Sequence, residues 1–166
     1  HLLGLVSDGG VHSHINHLKA ITSLCQQQGL TQVFIHAFTD GRDCDPKSGL
    51  AFLTELQAHV AATVGKIATV NGRYYAMDRD KRWERVKIAY DAIVKGVGNL
   101  TNSLEDNIKQ QYENGVTDEF LMPIICEDLI IPVSETRIKD GDIVLNFNFR
   151  TDRPREITQV LTQIDL

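Results

Sequence analysis

Leu2-Leu3-Gly4-Leu5-Val6-Ser7-Asp8-Gly9-Gly10-Val11-His12-Ser13-His14 decides the fold class. Its first residues form a short apolar run that reads as a buried strand. Ser7-Asp8-Gly9-Gly10 supplies turn residues, and beyond His14 apolar side chains recur at helical steps, at Ile15, Leu18, Ile21 and Cys25, until Gly29 stops the pattern. A buried strand that passes through a glycine turn into an amphipathic helix opens a parallel β-α-β unit.

The same alternation continues along the chain. Strands are predicted over 2–7, 33–38, 66–70, 123–126 and 142–149, each short, apolar or β-branched, and bounded by Gly, Asp or Pro. Between them, Leu50, Leu53, Leu56, Val60 and Val64 form a helical stripe after Pro46, and Trp83, Val86, Tyr90, Ile93 and Val97 form another that ends among Gly96 and Gly98. A more polar helix is expected over 103–114, ahead of Gly115. A last one starts at Pro154, with Ile157, Val160, Leu161 and Ile164 behind it. The expected fold is α/β: a three-layer α/β/α sandwich around a largely parallel or mixed sheet, one domain over 1–166, with the alternating 142–149 strand near an edge. The chain opens on His1, already inside a strand, which predicts a piece of a longer polypeptide.

The 166 residues are 42% hydrophobic and 23% charged, with 17 Lys and Arg against 22 Asp and Glu, a net charge of -5. That balance argues against a nucleic-acid partner, although residues 73–87 are locally basic. No apolar run approaches the roughly 18 residues that cross a bilayer, so no membrane partner is expected. Cys25, Cys44 and Cys126 are odd in number and contain no C-x-x-C pair, which points to a reduced, cytoplasmic protein.

In open α/β sheets ligands gather beyond the carboxyl ends of strands. Here those ends carry Gly-Gly and His12, then Asp40-Gly41-Arg42-Asp43, then Arg73 and Arg79, then Arg150-Thr151-Asp152-Arg153. Arg150 and Arg153 stand at the start of the last helix, where a cation is unfavourable by a few tenths to about 1 kcal/mol unless an anion sits there. Pairing with Asp152, Glu156 or another domain is the competing reading. Arg42, between two acids, fits a structural turn equally well, and Arg82 and Arg85 read as a solvated helix face. His12, His14 and His17 form H-x-H-x-x-H, but His12 precedes the helix and no Cys is near, so a metal is not expected. His12 suits anion binding or acid–base work instead. No nucleophile can be named. These residues describe a pocket for a small, strongly anionic, hydroxylated molecule.

Five blocks then resemble the cofactor-independent phosphoglycerate mutase family. They are Ser7-Asp8-Gly9-Gly10-Val11-His12-Ser13-His14, His36-Ala37-Phe38-Thr39-Asp40-Gly41-Arg42-Asp43, Gly72-Arg73-Tyr74-Tyr75-Ala76-Met77-Asp78-Arg79-Asp80, Arg82-Trp83-Glu84-Arg85, and Asn146-Phe147-Asn148-Phe149-Arg150-Thr151-Asp152-Arg153. They run in the family's order over nearly the whole chain. The resemblance implies a glycolytic enzyme that interconverts 3-phosphoglycerate and 2-phosphoglycerate through a phosphoserine. Its phosphatase-like domain carries the serine and two manganese ions, and an inserted α/β domain binds phosphoglycerate. This chain looks like most of that inserted domain.

By the family's pattern, substrate contacts fall on His12, Arg42, Asp43, Arg73, Arg79, Arg150 and Arg153, with His12 and Asp43 as the catalytic candidates. Arg42 and Asp43 are expected at the carboxylate and hydroxyl end, and Arg79, Arg150 and Arg153 at the phosphoryl group. No metal ligand or cofactor is expected within this chain, whose partner is the phosphatase-like domain of the same polypeptide. The chain alone is expected to be inactive. Cys44 and Asp45 stand where relatives often have Thr and Pro, which adds a thiol at the edge of the site. A free-standing metabolite-binding module and a nucleic-acid module are the competing classes.

Overall fold

The computed structural model describes residues 1–163. Strands β1 (Leu2–Leu5), β2 (Phe34–Thr39), β3 (Lys66–Gly72), β4 (Asn99–Thr101), β5 (Ile124–Cys126) and β6 (Leu145–Asn146) form one sheet in the order β4-β5-β3-β2-β1-β6. All neighbours run parallel except β3 and β5. The sheet is therefore mixed, and the last strand lies at an edge, as its alternation predicts.

Period-two alternation sorts the strand side chains to two faces. Leu2, Val6, Ile35 and Ala37 pack on one side with Ile15 and Leu18 of α1 (Ile15–Gln27), Leu53, Leu56 and Val60 of α2 (Gly49–Ala62) and the helix carrying Leu104 and Ile108. Leu3, Leu5 and Phe38 face the other side. They meet Ala76 of α3 (Arg73–Ala76), Val86 and Ala89 of α4 (Trp83–Tyr90) and Ile157 of the final helix. The helix that carries Leu104 and Ile108 is α5 (Leu104–Glu113), and the final one is α6 (Pro154–Thr162). Two apolar layers on one sheet make the expected three-layer sandwich.

The structure corrects several elements. Strand β4 was not expected: it is only three residues long and largely exposed, and it exists because β5 pairs with it. The 142–149 strand shrinks to Leu145–Asn146, which pair with Leu2 and Leu3; farther on, the Leu5 N–H donates to the Asn148 side chain (2.9 Å) instead of to a backbone carbonyl of that segment. The stripe from Trp83 to Val97 is α-helical only to Tyr90; a π-turn over Asp91–Lys95 follows, closed by Gly96 in the left-handed region. α2 begins at Gly49, three residues after Pro46, and α3 is a single turn that carries no apolar period. Ile164, expected in the last helix, lies outside the described residues.

Two buried polar groups tie the layers together. Among the described residues Arg137 has no carboxylate partner; it donates to the carbonyls of Ala92 (2.7 Å), Ala68 (3.1 Å) and Val133 (3.2 Å), and so clips the π-turn to β3. Burial pushes its pKa down to about 10. Asp118 accepts from the Gly49 N–H at the start of α2 (2.7 Å) and from the Tyr112 hydroxyl, and burial raises its carboxyl pKa.

Gly4 marks the tightest approach. Its φ is +155°, and a Cβ there would stand 2.6 Å from the Phe147 ring. Gly4→Ala is expected to destabilise the protein by about 1–3 kcal/mol through overpacking, read as a lowered urea midpoint at constant m. An unchanged midpoint would show that the ring can retreat. Among the described residues no helix is long and apolar enough to cross a membrane.

Candidate functional site

The turn after β1 turns each of its three histidines to a different task. His14 is the N-cap of α1, its Nδ1 accepting from the Asn16 N–H at 3.2 Å. His17 meets Phe149 edge-on at 5.8 Å. His12 alone turns inward and is buried, while its carbonyl accepts from the Phe149 N–H (2.8 Å) and ties the turn to the segment after β6. Among the described residues, no group of three or more His, Cys, Asp or Glu could hold a metal ion.

His12 Nε2 lies 3.1 Å from Arg73 Nη2. A guanidinium only donates, so Nε2 accepts, the ring is neutral and its proton sits on Nδ1. Burial, then the Arg73 charge, hold the His12 pKa below its ordinary value. Arg73 itself is 3% exposed. It follows β3 directly, and its Nη1 donates to both Asp40 Oδ1 and Asp43 Oδ2 at 2.7 Å. Asp40, at the end of β2, also accepts from Ser7 Oγ (2.7 Å) and from the N–H groups of Arg42 (3.2 Å) and Asp43 (3.0 Å). Burial opposes ionisation of Asp40, but these hydrogen bonds win and its pKa is lowered.

A second set of contacts starts from Asp152. Its Oδ2 accepts from Arg79 Nη1 at 2.8 Å, and its Oδ1 lies 3.0 Å from Arg150 Nε and 3.9 Å from His12 Nδ1. Arg153 stands at the N-cap position of α6 without a side-chain capping bond and donates to the Met77 carbonyl at 2.9 Å. Its pKa is lowered, first by burial and then by the charges of Arg73, Arg79 and Arg42. Like charges that depress one another in this way mark a crowded cationic surface. Arg42 is on the rim, its side chain 55% exposed and 3.5 Å from Glu119. The loop that presents Arg79 is held by Asp78, which accepts from the N–H groups of Asp80 (3.0 Å) and Arg82 (2.9 Å).

Five of the seven expected site residues thus join one run of contacts, Arg79–Asp152–His12–Arg73–Asp43, with Arg150 on the same Asp152. Arg153 and Arg42 are joined to it through their charges. Both readings of Arg150 hold a part: it lies in the cluster, and its partner is Asp152. Arg82 is on the solvent side, paired with Asp80, but Arg85 is not a solvated residue. Its guanidinium lies 3.8 Å over the Tyr74 ring and 3.7 Å from Asp78, because α3 brings that ring beneath α4. Burial raises the Cys44 thiol pKa, which makes it a poor nucleophile.

Sequence reasoning missed Ser7 and Asp40 as the brace of the site. The position of Asp40 at a strand end was visible, but its partner lies 33 residues away. A cavity of about 960 Å³ lies at the opposite edge of the sheet, among Leu2, Cys25, Val33, Phe34 and Leu145, and none of the expected site residues lines it.

Fold and geometry together define an α/β domain with a cationic, carboxylate-braced cluster at the carboxyl edge of its parallel strands. The chain belongs to the family described as BPG-independent PGAM N-terminus (iPGM_N), which matches residues 1–166. It is 54% identical over 165 residues to a 2,3-bisphosphoglycerate-independent phosphoglycerate mutase of Flavobacterium johnsoniae, covering 99% of this chain and 32% of the relative. It is 53% identical over 162 residues to the protein of the same name from Clostridioides difficile, covering 97% and 31%. Leishmania mexicana phosphoglycerate mutase, solved at low cobalt concentration, superposes with a TM-score of 0.91 at 36% identity, over 100% of this chain and 32% of that one. The chain therefore spans about a third of the length of the relatives it matches.

Proposed function

We propose that this chain is the phosphoglycerate-binding domain, most of an inserted unit, of a glycolytic, cytoplasmic mutase that interconverts 3-phosphoglycerate and 2-phosphoglycerate. A metal-binding, phosphatase-like domain of the same polypeptide completes it. The observation that supports this reading is the meeting of Arg79 and Arg150 on Asp152 beside a neutral, buried His12, with the charges of Arg79 and Arg42 felt by Arg153. Phosphoglycerate carries about three negative charges, and several guanidiniums are the chemistry that holds them.

The arginines divide by their surroundings. Arg73 is spent on Asp40 and Asp43, so it fixes the frame and aims His12. Arg79, Arg150 and Arg153 meet the phosphoryl group, while Arg42 and Asp43 hold the carboxylate and hydroxyl end. His12 carries its proton on Nδ1 and can donate it to a substrate oxygen, and Asp43 can accept a hydroxyl proton. The phosphoryl group passes to a serine of the other domain, the glycerate turns in place, and the group returns to the other hydroxyl. Two manganese ions expected in that other domain supply Lewis-acid stabilisation; this chain binds, orients and handles protons.

In the full-length enzyme, Arg150→Ala is expected to lower kcat/KM by about 10- to 150-fold, the loss of one charge-assisted contact. A wild-type rate removes Arg150 from the site. Residues 1–166 alone should show no conversion of 3- to 2-phosphoglycerate, and steady turnover by them would overturn the two-domain reading. Tight phosphoglycerate binding by those residues in calorimetry would favour a free-standing binding module.

A further inference from the structure

We infer that Asp152 is an internal counter-anion: its carboxylate occupies Arg79 and Arg150 until the phosphoryl group of the substrate displaces it. This rests on the binding role proposed above and adds a residue to it. The side chains of Arg79 and Arg150 are 44% and 47% exposed, and among the described residues Asp152 is the only acid with which either forms an ion pair. The Asp152 side chain is itself 33% exposed, so it can turn toward solvent. By contrast, Asp40 is sealed beneath Arg73 and cannot leave.

The fit of the carboxylate is incomplete. Oδ2 makes a well-directed bond to Arg79, but Oδ1 is buried without a directed hydrogen bond, although it lies 3.0 Å from Arg150 Nε. His12 Nδ1, the protonated nitrogen, is also buried without a partner, 3.9 Å from that same oxygen. Three donors from three loops therefore converge on a planar anion that satisfies one of them. A phosphoryl group presents three oxygens in a tetrahedral spread and can meet Arg79, Arg150 and the His12 N–H together. Two anions cannot share this position, so binding exchanges one for the other. The exchange weakens ground-state binding, and it hands the arginines a partner each time the phosphoryl group departs.

The test is Asp152→Asn in the full-length enzyme, with Asp152→Glu as the charge-keeping control and Asp152→Ser as a second neutral replacement. Competitive inhibition by inorganic phosphate and the KM for 3-phosphoglycerate are read together. A displaced anion predicts that both neutral variants lower the phosphate inhibition constant and the KM by about two- to fivefold, with a fall in kcat as release slows. Asp152→Glu should stay near wild type. A merely structural ion pair predicts the opposite sign, because loosened arginines raise both constants; raised or unchanged constants overturn the inference. If the wild-type enzyme shows no mutase activity, the proposed function fails instead, and calorimetry with inorganic phosphate on the same proteins still decides the role of Asp152.

Discussion

Arg73→Met is expected to destabilise the protein by about 3–5 kcal/mol and to lower the proposed mutase activity of the full-length enzyme by more than about 100-fold. Among the described residues the guanidinium is the sole charged partner of Asp40, a carboxylate 1% exposed at the end of β2. Removing one member of a buried pair leaves the other charge uncompensated, which is the expensive case. Asp40 would keep Ser7 and two backbone N–H groups, so the loss should fall inside that range rather than beyond it. Activity falls for a separate reason: Asp43 and His12 both take their orientation from Arg73.

Two companion variants separate charge from shape. Arg73→Lys keeps the charge but lacks the planar fork, so it can reach the carboxylates while His12 loses its donor. It should recover most of the stability and little of the activity. Arg73→Met with Asp40→Asn removes both charges and should be more stable than Arg73→Met alone, a coupling that a double-mutant cycle measures. Urea midpoints that match wild type in Arg73→Met would mean that Asp40 is stabilised without its cation, and the proposed brace would fail.

That brace also shows where sequence reasoning stops. Apolar period and glycine punctuation are local signals, and they located α1, α5, β1 and β2 because each buries a face that its own residues announce. The general rule for α/β sheets then directed attention to the correct edge. What was not legible depends on distant partners. Asn99–Thr101 becomes a strand only because Ile124–Cys126 lies beside it. Arg85 reads as solvated until α3 brings Tyr74 under it. Asp40 stands beside Arg42 in the chain, yet its side chain serves Arg73, and Asp152, legible as a neighbour of Arg150, gives no sign in the chain that it also holds Arg79, 73 residues away. Charged motifs tell which residue types meet, whereas the choice of acid for each arginine is made by the fold.

Acidification should weaken the fold well above the range where carboxylates titrate. His36, in the middle of β2, is fully buried, with Nδ1 2.9 Å from Thr69 Oγ1 and Nε2 2.9 Å from His1 Nδ1. Burial, then the Arg137 charge, hold its pKa well below the ordinary value, and His12 is lowered as well. Between such a lowered value and the ordinary one of about 6.5, the unfolded chain binds more protons than the folded one. Stability therefore rises with pH across this window and falls on acidification, by up to about 1.4 kcal/mol per pH unit for each histidine. Asp40 and Asp152 have lowered pKa values, so their stabilisation is lost only below about pH 4. Asp118 and Glu156, whose pKa values are raised, oppose the histidines. A comparison with His36→Gln isolates the one group, because the other titrations are common to both proteins and an amide can still bond Thr69. Urea unfolding at pH 6.5 and 5.0 should show a wild-type loss that exceeds that of His36→Gln by up to about 1.6 kcal/mol. Equal losses would mean that His36 can be charged inside the sheet, and then a cation beside Arg137 would need an anion that none of its described neighbours supplies.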